Sequence, residues 1–191
     1  MTEPELTALL KQGDGKAFEY LVKTYQGRIY NACLGVLHSE EDAEDLAQEV
    51  FMEVYRSISG FKEEAKLSTW MYRIAMTKSL DHLRSKKRKK RFAFVTSLFS
   101  ETSNTPRYDP PEFVHPGVQL ENKEAAAWLF KAIDALPENQ KTAFTLHKIE
   151  GLSYTEIGEV MNLSLPSIES LMFRAKQNLK QTLGTYYKNN F

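Results

Sequence analysis

Two groups of side chains in this sequence have types and spacing that could do chemistry: the aspartates Asp42 and Asp45, and the basic block Arg84 to Arg91. Three positions apart on a helix, the two carboxylates share a face, which is where a metal-dependent nuclease or nucleotidyl-transfer site could begin. No further constellation accompanies them. The four histidines, at 38, 82, 115 and 147, are scattered, no metal-ligand spacing occurs, and no glycine-rich loop could cradle a phosphate. Cys33 is the single cysteine and lies among Ile29, Tyr30, Ala32 and Leu34, which suits a small buried apolar residue and rules out an intramolecular disulfide. The expectation is a non-enzyme that needs no cofactor and no metal. The basic block points to a different role. Seven of its eight residues are Lys or Arg, a strong signal of affinity for phosphate.

Composition supports that division. The formal net charge is zero, which argues against a wholesale polyanion binder, and an apolar share of 42% suffices for packed cores. Charge is segregated instead. Before position 84 there are 14 acids against nine bases, whereas from Leu120 onward the two balance at eight each. The N-terminus has no apolar stretch of signal-peptide type, and no apolar run approaches about 18 residues. A cytoplasmic protein with no membrane contact of its own is expected.

The elements that must position these groups are helical throughout. Thr2 and Glu5 form the signature of a capping box for a short first helix that stops at Gly13-Asp14-Gly15. A second helix runs from about Lys16 to Leu37 on an apolar stripe that includes Phe18, Leu21, Tyr25, Ile29 and Cys33. The third, Ser39 to Ser59, starts on a serine cap followed by Glu40, Glu41 and Asp42, where the helix dipole favours acids. Ala43, Leu46, Ala47, Val50, Phe51, Val54, Tyr55 and Ile58 make its apolar stripe, and Asp45, Gln48, Glu49 and Met52 fall away from it. Those acids have no i,i+4 lysines to neutralise them, so a basic partner surface competes evenly with a solvated face.

After a polar loop, Gly60 to Lys66, a fourth helix spans Leu67 to Arg84, with Leu67, Trp70, Met71, Ile74 and Ala75 turned inward. Tyr72, Arg73, Met76, Thr77, Asp81 and Arg84 project elsewhere. An exposed aromatic beside arginine and hydroxyl side chains suits base stacking, with the block that follows holding phosphates. From Phe92 periodicity ends, and Ser, Thr and Pro mark a linker over 92–119. It could reach roughly 95 Å fully extended but only about 30 Å as a coil.

The last module, from Leu120, opens with a stripe of Ala125, Leu129, Ala132, Ile133 and Leu136, ended by Pro137. A helix from Glu138 stops at Gly151, Ser153 and Glu156 form a second capping box, and Asn162-Leu163-Ser164 turns the chain into a final helix with Pro166 in its first turn. Two short helices around a tight turn make a helix-turn-helix, whose second helix would enter a major groove by its N-terminal part. The fold class expected is all-α: two small helical domains joined by a flexible linker.

With both modules in view, the chain resembles bacterial RNA polymerase sigma factors of the extracytoplasmic-function group. Asp42-Ala43-Glu44-Asp45-Leu46-Ala47-Gln48-Glu49-Val50-Phe51 is similar to their segment for the polymerase clamp, and Leu67-Ser68-Thr69-Trp70-Met71-Tyr72-Arg73-Ile74-Ala75 to the start of their minus-ten helix. Leu136-Pro137-Glu138-Asn139-Gln140, Glu150 to Ile157, and Phe173-Arg174-Ala175-Lys176 match their second DNA-binding domain. The resemblance implies a promoter-specificity subunit that binds core polymerase, recognises the minus-thirty-five and minus-ten elements and assists melting. It divides the chain into a region-2-like domain (1–91), the linker (92–119) and a region-4-like domain (120–191). It assigns Asp42, Asp45, Gln48, Glu49 and Met52 to core polymerase. Phe61, Lys62 and Lys66 would border a pocket for a flipped base, while Tyr72, Arg73, Thr77, Arg84, Lys86, Lys87 and Arg88 would meet the minus-ten region. Pro166, Ser167, Glu169, Ser170, Phe173, Arg174 and Lys176 would face the distal element. An anti-sigma protein, often held at the membrane in this group, is an implied partner. Thr77 stands where many relatives carry asparagine, and Glu169 and Leu171 occupy positions that are often basic.

Two rival functions share some of these features. A helix-turn-helix repressor or activator accounts for Ser153 to Lys176 but leaves the acidic helix and Leu67 to Arg91 unexplained. A nucleic-acid enzyme would have to rest on Asp42 and Asp45 alone.

Overall fold

The computed structural model describes residues 2–99 and 123–190, which are all-α: no strand occurs among the described residues. Side chains are described over 2–89 and 128–184.

Helix α1 (Glu3–Lys11) starts on the capping box that Thr2 and Glu5 form, with the Thr2 amide donating to Glu5 Oε2 at 2.7 Å. Gly13, at φ 77°, turns the chain, and Asp14 caps α2 (Gly15–Leu37) by accepting from the Ala17 amide at 2.8 Å. His38 ends α2 in the left-handed region, and Ser39 caps α3 (Glu40–Ser57) at once. A tightened 3-10 turn, Ile58–Gly60, closes α3.

Helix α4 (Leu67–Phe99) departs from the expectation of a helix ending at Arg84 and a linker beginning at Phe92. It runs on through the basic block and past it. The reason is local: neither Pro nor Gly occurs between Leu67 and Phe99, and Lys and Arg are good helix formers. The part of the expected linker beyond Phe99 lies outside the described residues.

The C-terminal half comprises α5 (Lys123–Asp134), α6 (Glu138–Lys148), α7 (Tyr154–Met161) and α8 (Leu165–Asn190). Pro137 precedes α6, Gly151 turns the chain at φ 70°, and the Ser153–Glu156 capping box opens α7 as expected. Asn162, at φ 53°, makes the sharp turn into α8, so α7 and α8 form the helix-turn-helix.

The two halves share a core. One buried cluster runs from Leu21, Ile29 and Leu34 of α2 through Val50 of α3 and Met71 of α4 to Leu146, Ile157 and Met172 of α6, α7 and α8. A second cluster under α5 gathers Phe130, Ile133 and Leu136 against Ala175 and Leu179. Gly35 of α2 lies against α6. A Cβ there would lie 2.6 Å from Thr145 Cγ2 and 2.8 Å from Ile149 Cδ1, so a larger residue would force these side chains to shift. The Thr145 hydroxyl donates to the Gly35 carbonyl at 3.2 Å in the buried seam. Beside it, His38 Nδ1 lies 2.7 Å from Asp134 Oδ2, and the nearly buried Lys141 pairs with the same carboxylate.

Candidate protein and nucleic-acid interfaces

Helix α3 presents one continuous outer strip. Asp45, Gln48 and Glu49 are exposed, and Met52 and Tyr55 are 52% and 56% exposed. Tyr55 was expected in the apolar stripe; instead it lies at the stripe's edge, its ring packed edge-on against Phe18 with centroids 5.1 Å apart. Two large apolar side chains next to bare acids make a surface suited to a basic partner with an apolar anchor point. The acids are less isolated than the helix alone suggests, because α4 supplies lysines from across the packing. Lys78 reaches Glu49 at 3.3 Å, and Asp42 accepts from Lys86 at 2.6 Å while lying 3.2 Å from His82. Burial works against the charged form of Asp42, but the Lys86 and Ser39 hydrogen bonds and the neighbouring charges outweigh it and hold the carboxyl below its usual range. Asp42 thus braces α3 to α4, whereas Asp45 stands outward. Among the described residues no cluster of His, Cys, Asp or Glu could hold a metal.

Behind this strip, the loop before α4 forms a hollow lined by Gly60, Phe61, Lys62, Glu64, Ala65, Trp70 and Arg73. Phe61 is largely buried and stacks on Trp70, with centroids 4.9 Å apart and planes at 28°. It forms a wall rather than an exposed stacking platform. Asn162, the turn residue of the helix-turn-helix, completes the lining from the other half of the chain. Thr77 is exposed on an adjoining groove with Glu53, Ile74 and Lys78.

The largest departure concerns Tyr72, expected to be exposed. It is 1% exposed, and its hydroxyl donates to Glu150 Oε2 at 2.7 Å. The Arg28 guanidinium lies 5.7 Å from the Tyr72 ring centroid and 4.0 Å from the same carboxylate. Burial, then the Glu150 charge, raises the Tyr72 phenol far above its ordinary value. Burial also raises the Glu150 carboxyl, and the Tyr72 hydrogen bond and Arg28 offset this only in part. Met76, also expected to project outward, is buried. The reason is tertiary: the face of α4 that a lone amphipathic helix would show to solvent is covered by α7 and the segment before it.

Other basic groups of that face are likewise engaged. Arg73 donates to the Glu159 carbonyl at 2.6 Å, and Lys66 lies 3.3 Å from Glu156. Arg84 reaches Glu138 at 3.2 Å, with Lys87 at 3.6 Å from the same carboxylate. Arg88 is exposed, and Lys86 holds Asp42 as described. Nothing in the sequence patterning pointed to Glu138, Glu150 and Glu156 as partners of α4. Gly35 lies at this seam, but the sequence does not set it apart from Gly27, a second glycine inside α2 with open space around it.

The N-terminal part of α8 remains open. Glu169, Ser170, Phe173, Arg174 and Lys176 are exposed, with Phe173 at 62%, and Pro166 and Ser167 begin the same face. Asn139, Leu163, Pro166, Ser167, Ser170, Leu171 and Arg174 line a shallow groove. Arg174 donates to the Ser170 carbonyl at 3.2 Å, which lays its guanidinium along the helix. Leu171 is largely buried in the floor of that groove, so its apolar character answers to packing. Cys33 is fully buried, and burial pushes its thiol up to about 11, as an inert core residue requires.

Comparison with known proteins places this geometry. Family models for Sigma-70 region 2 and Sigma-70 region 4 match residues 21–89 and 126–179. The RNA polymerase sigma-H factor of Pseudomonas aeruginosa is 31% identical over 95% of this chain and 93% of its own length. The ECF RNA polymerase sigma-E factor of Haemophilus influenzae is 32% identical over 96% of each chain. Among solved structures, the sigma factor RpoE of Bartonella quintana, in complex with the anti-sigma factor NepR, shares the fold at a TM-score of 0.64 and 19% identity, over 88% of this chain and 98% of that one. CnrH, solved with the cytosolic domain of CnrY, aligns over 96% and 97% with a TM-score of 0.68 and 19% identity. A region-2 helical unit with an outward acidic strip, a basic α4 and a region-4 helix-turn-helix are thus matched end to end, and the chain belongs to the extracytoplasmic-function sigma factors of RNA polymerase.

Proposed function

We propose that this sigma factor divides promoter recognition between its two halves as follows. The strip Asp45, Gln48, Glu49 and Met52, continued by Tyr55, binds the core polymerase clamp, with Asp42 as the brace that sets α3 against α4. The hollow bordered by Phe61 and Lys62, with Lys66 at the end of the same loop, takes an unstacked base, and Arg73, Thr77 and Arg84 meet the minus-ten strand, while the buried Tyr72 supports their helix from within. Lys86, Lys87 and Arg88 hold its phosphates, because a base reader needs such positioning contacts beside it. The α8 face of Pro166, Ser167, Glu169, Ser170, Phe173, Arg174 and Lys176 reads the minus-thirty-five element in a major groove. The region-2-like part occupies 1–91 and the region-4-like part 120–191, joined by 92–119. The protein is not itself an enzyme, and polymerase supplies the chemistry.

The observation that carries this reading is the coexistence of an open acidic strip on α3 and an open arginine-bearing face on α8. Two such unlike surfaces suit a protein core and a DNA groove. Cytoplasmic location follows from partnership with polymerase, and among the described residues no helix is long and apolar enough to cross a membrane. An anti-sigma protein is a proposed further partner, since both structural relatives named above were solved with a bound protein.

The test is transcription by purified core polymerase, with and without this protein, on fragmented genomic DNA, mapping start sites. New starts that share two spaced boxes are the expected result. Core binding and starts both absent would refute the assignment.

A further inference from the structure

Building on the reading of the hollow above as the seat of an unstacked base, we propose that α1 holds the loop of that hollow in shape, with Glu3 and Lys11 as its positioning residues. Glu3 serves the end of the loop. The chain enters α4 at Leu67 behind Lys66, a residue with no side-chain oxygen to cap a helix, so the first amides of α4 need acceptors from elsewhere. Glu3 Oε1 takes the Leu67 amide at 2.7 Å, across 64 positions of sequence. The same contact sets a carboxylate at the positive end of a long helix. Lys11 serves the middle of the loop. From Gly60 to Ala65 every residue lines the hollow except Glu63. Glu63 lies at φ 60°, in the left-handed region that such a residue seldom adopts. Its carboxylate is held by Lys11, whose Nζ donates to Glu63 Oε1 at 2.5 Å from 52 positions away.

Helix α1 is itself anchored. Leu6 and Leu10 are buried in the main core, and Thr7 is buried beside them. The helix also packs against the turn Ile58–Gly60 that begins the loop. Thus α1 meets the loop at its start, its middle and its end, while the described residues that line the hollow include none from α1. Glu3 and Lys11 therefore act through the loop and not on the base. The Lys11–Glu63 pair is partly exposed, with side chains 31% and 51% accessible, so it adds little to global stability. Its consequence is local: it fixes a backbone conformation that the loop would not keep alone. A hollow whose wall is already set captures a base without first ordering the chain around it, whereas a loosened loop must be ordered at each capture.

The test uses holoenzyme reconstituted from core polymerase and the full chain, on a promoter recovered by the start-site mapping above. Single-round transcript yield is measured on the intact promoter and on templates that carry one abasic nucleotide, moved step by step along the melted strand of the minus-ten box. An abasic nucleotide at the captured position leaves the hollow nothing to hold. Glu3→Ala and Lys11→Met are compared with Glu3→Gln, which keeps an acceptor for the Leu67 amide, and with the exchanged pair Lys11→Glu and Glu63→Lys. A thermal melt and competition for core polymerase accompany every variant. Glu3→Ala and Lys11→Met should each lose roughly threefold or more on the intact promoter while competing normally for core. That loss should disappear on the one abasic template that most weakens the unmodified chain. Glu3→Gln and the exchanged pair should recover to within about twofold. A loss of the same size on every template would overturn the proposal, because α1 would then act through the fold as a whole. Full activity of both Glu3→Ala and Lys11→Met would overturn it equally. If no abasic position weakens the unmodified chain, the hollow holds no base and the role of α1 falls with that reading. If one position does, that reading stands, and the variants decide the role of α1 alone.

Discussion

The Tyr72 hydroxyl, on the helix that carries the basic block, donates a 2.7 Å hydrogen bond to Glu150, in the turn that leads into the helix-turn-helix. The bond crosses from one half of the chain to the other and buries a carboxylate beside Arg28 and Cys33. A phenol and a carboxylate withdrawn from water need each other, since either one left alone would keep its full desolvation cost.

That arrangement gives the fold a pH dependence with a definite sign. The Glu150 carboxyl is raised in the folded chain, so the folded state binds its proton more readily than the unfolded state. Its contribution is most favourable below the ordinary glutamate range. It is lost as pH rises from that range through the raised value, and at neutral pH the buried charge is a net burden. Glu150→Gln keeps an acceptor for Tyr72 and removes the charge. The variant should melt higher than the unmodified chain at pH 7, and the two should converge as the medium is acidified below the glutamate range. Comparing the pair by thermal melting cancels the groups the two chains have in common. A gap that widened on acidification would contradict the assignment.

On α3, Glu49→Lys and Gln48→Ala should each weaken core polymerase binding by roughly tenfold, about 1.4 kcal/mol, with the helix content unchanged. Glu49 is more than half exposed and its pair with Lys78 is a surface pair, so folding stability should move by no more than about 1 kcal/mol. Competition against a labelled sigma subunit for limiting core reads the first quantity, and urea unfolding reads the second. Equal competition by both variants would remove the clamp assignment.

For the distal reader, Arg174→Ala should reduce promoter use about tenfold or more on templates that carry the minus-thirty-five box, since a guanidinium contact to a base edge contributes about 1–3 kcal/mol. Templates without that box should respond far less. An equal loss on both would mean that Arg174 acts through the fold.

Leu171 provides a control with the opposite logic. A basic residue there would be expected to strengthen DNA binding if the position faced a groove. Because Leu171 is buried against the domain core, Leu171→Lys should instead cost about 2–3 kcal/mol of stability through an unpaired buried ammonium. Urea unfolding checks this, and tighter DNA binding at unchanged stability would refute it.

The sequence by itself determined the local elements and the outward surfaces that depend on one helix alone. Thr2 with Glu5, Ser39 and Ser153 with Glu156 announced helix starts because a capping oxygen acts within three residues of itself. Asp45, Gln48 and Glu49 on α3 were legible because helical periodicity alone turns them away from an apolar stripe, whereas Arg174 and Lys176 on α8 were named through the resemblance and are exposed. The continuous α4 could also have been read, from the absence of Pro and Gly. What only the tertiary structure decided was the fate of residues claimed by two surfaces. Tyr72 and Met76 lie off the apolar stripe of α4 and read as exposed, yet both are buried, Tyr72 between Glu150 of the second half and Arg28 of the first. Tyr55 lies on the stripe of α3 and stays more than half exposed, with the Phe18 ring packed edge-on against it. Periodicity describes a helix against one partner, and burial here is set by two. The pairing of Tyr72 with Glu150, and of Arg84 with Glu138, joins residues 78 and 54 positions apart, beyond the reach of any local pattern. Gly35 meets Thr145 on another helix while Gly27 of the same helix faces open space, a difference that only the packing decides.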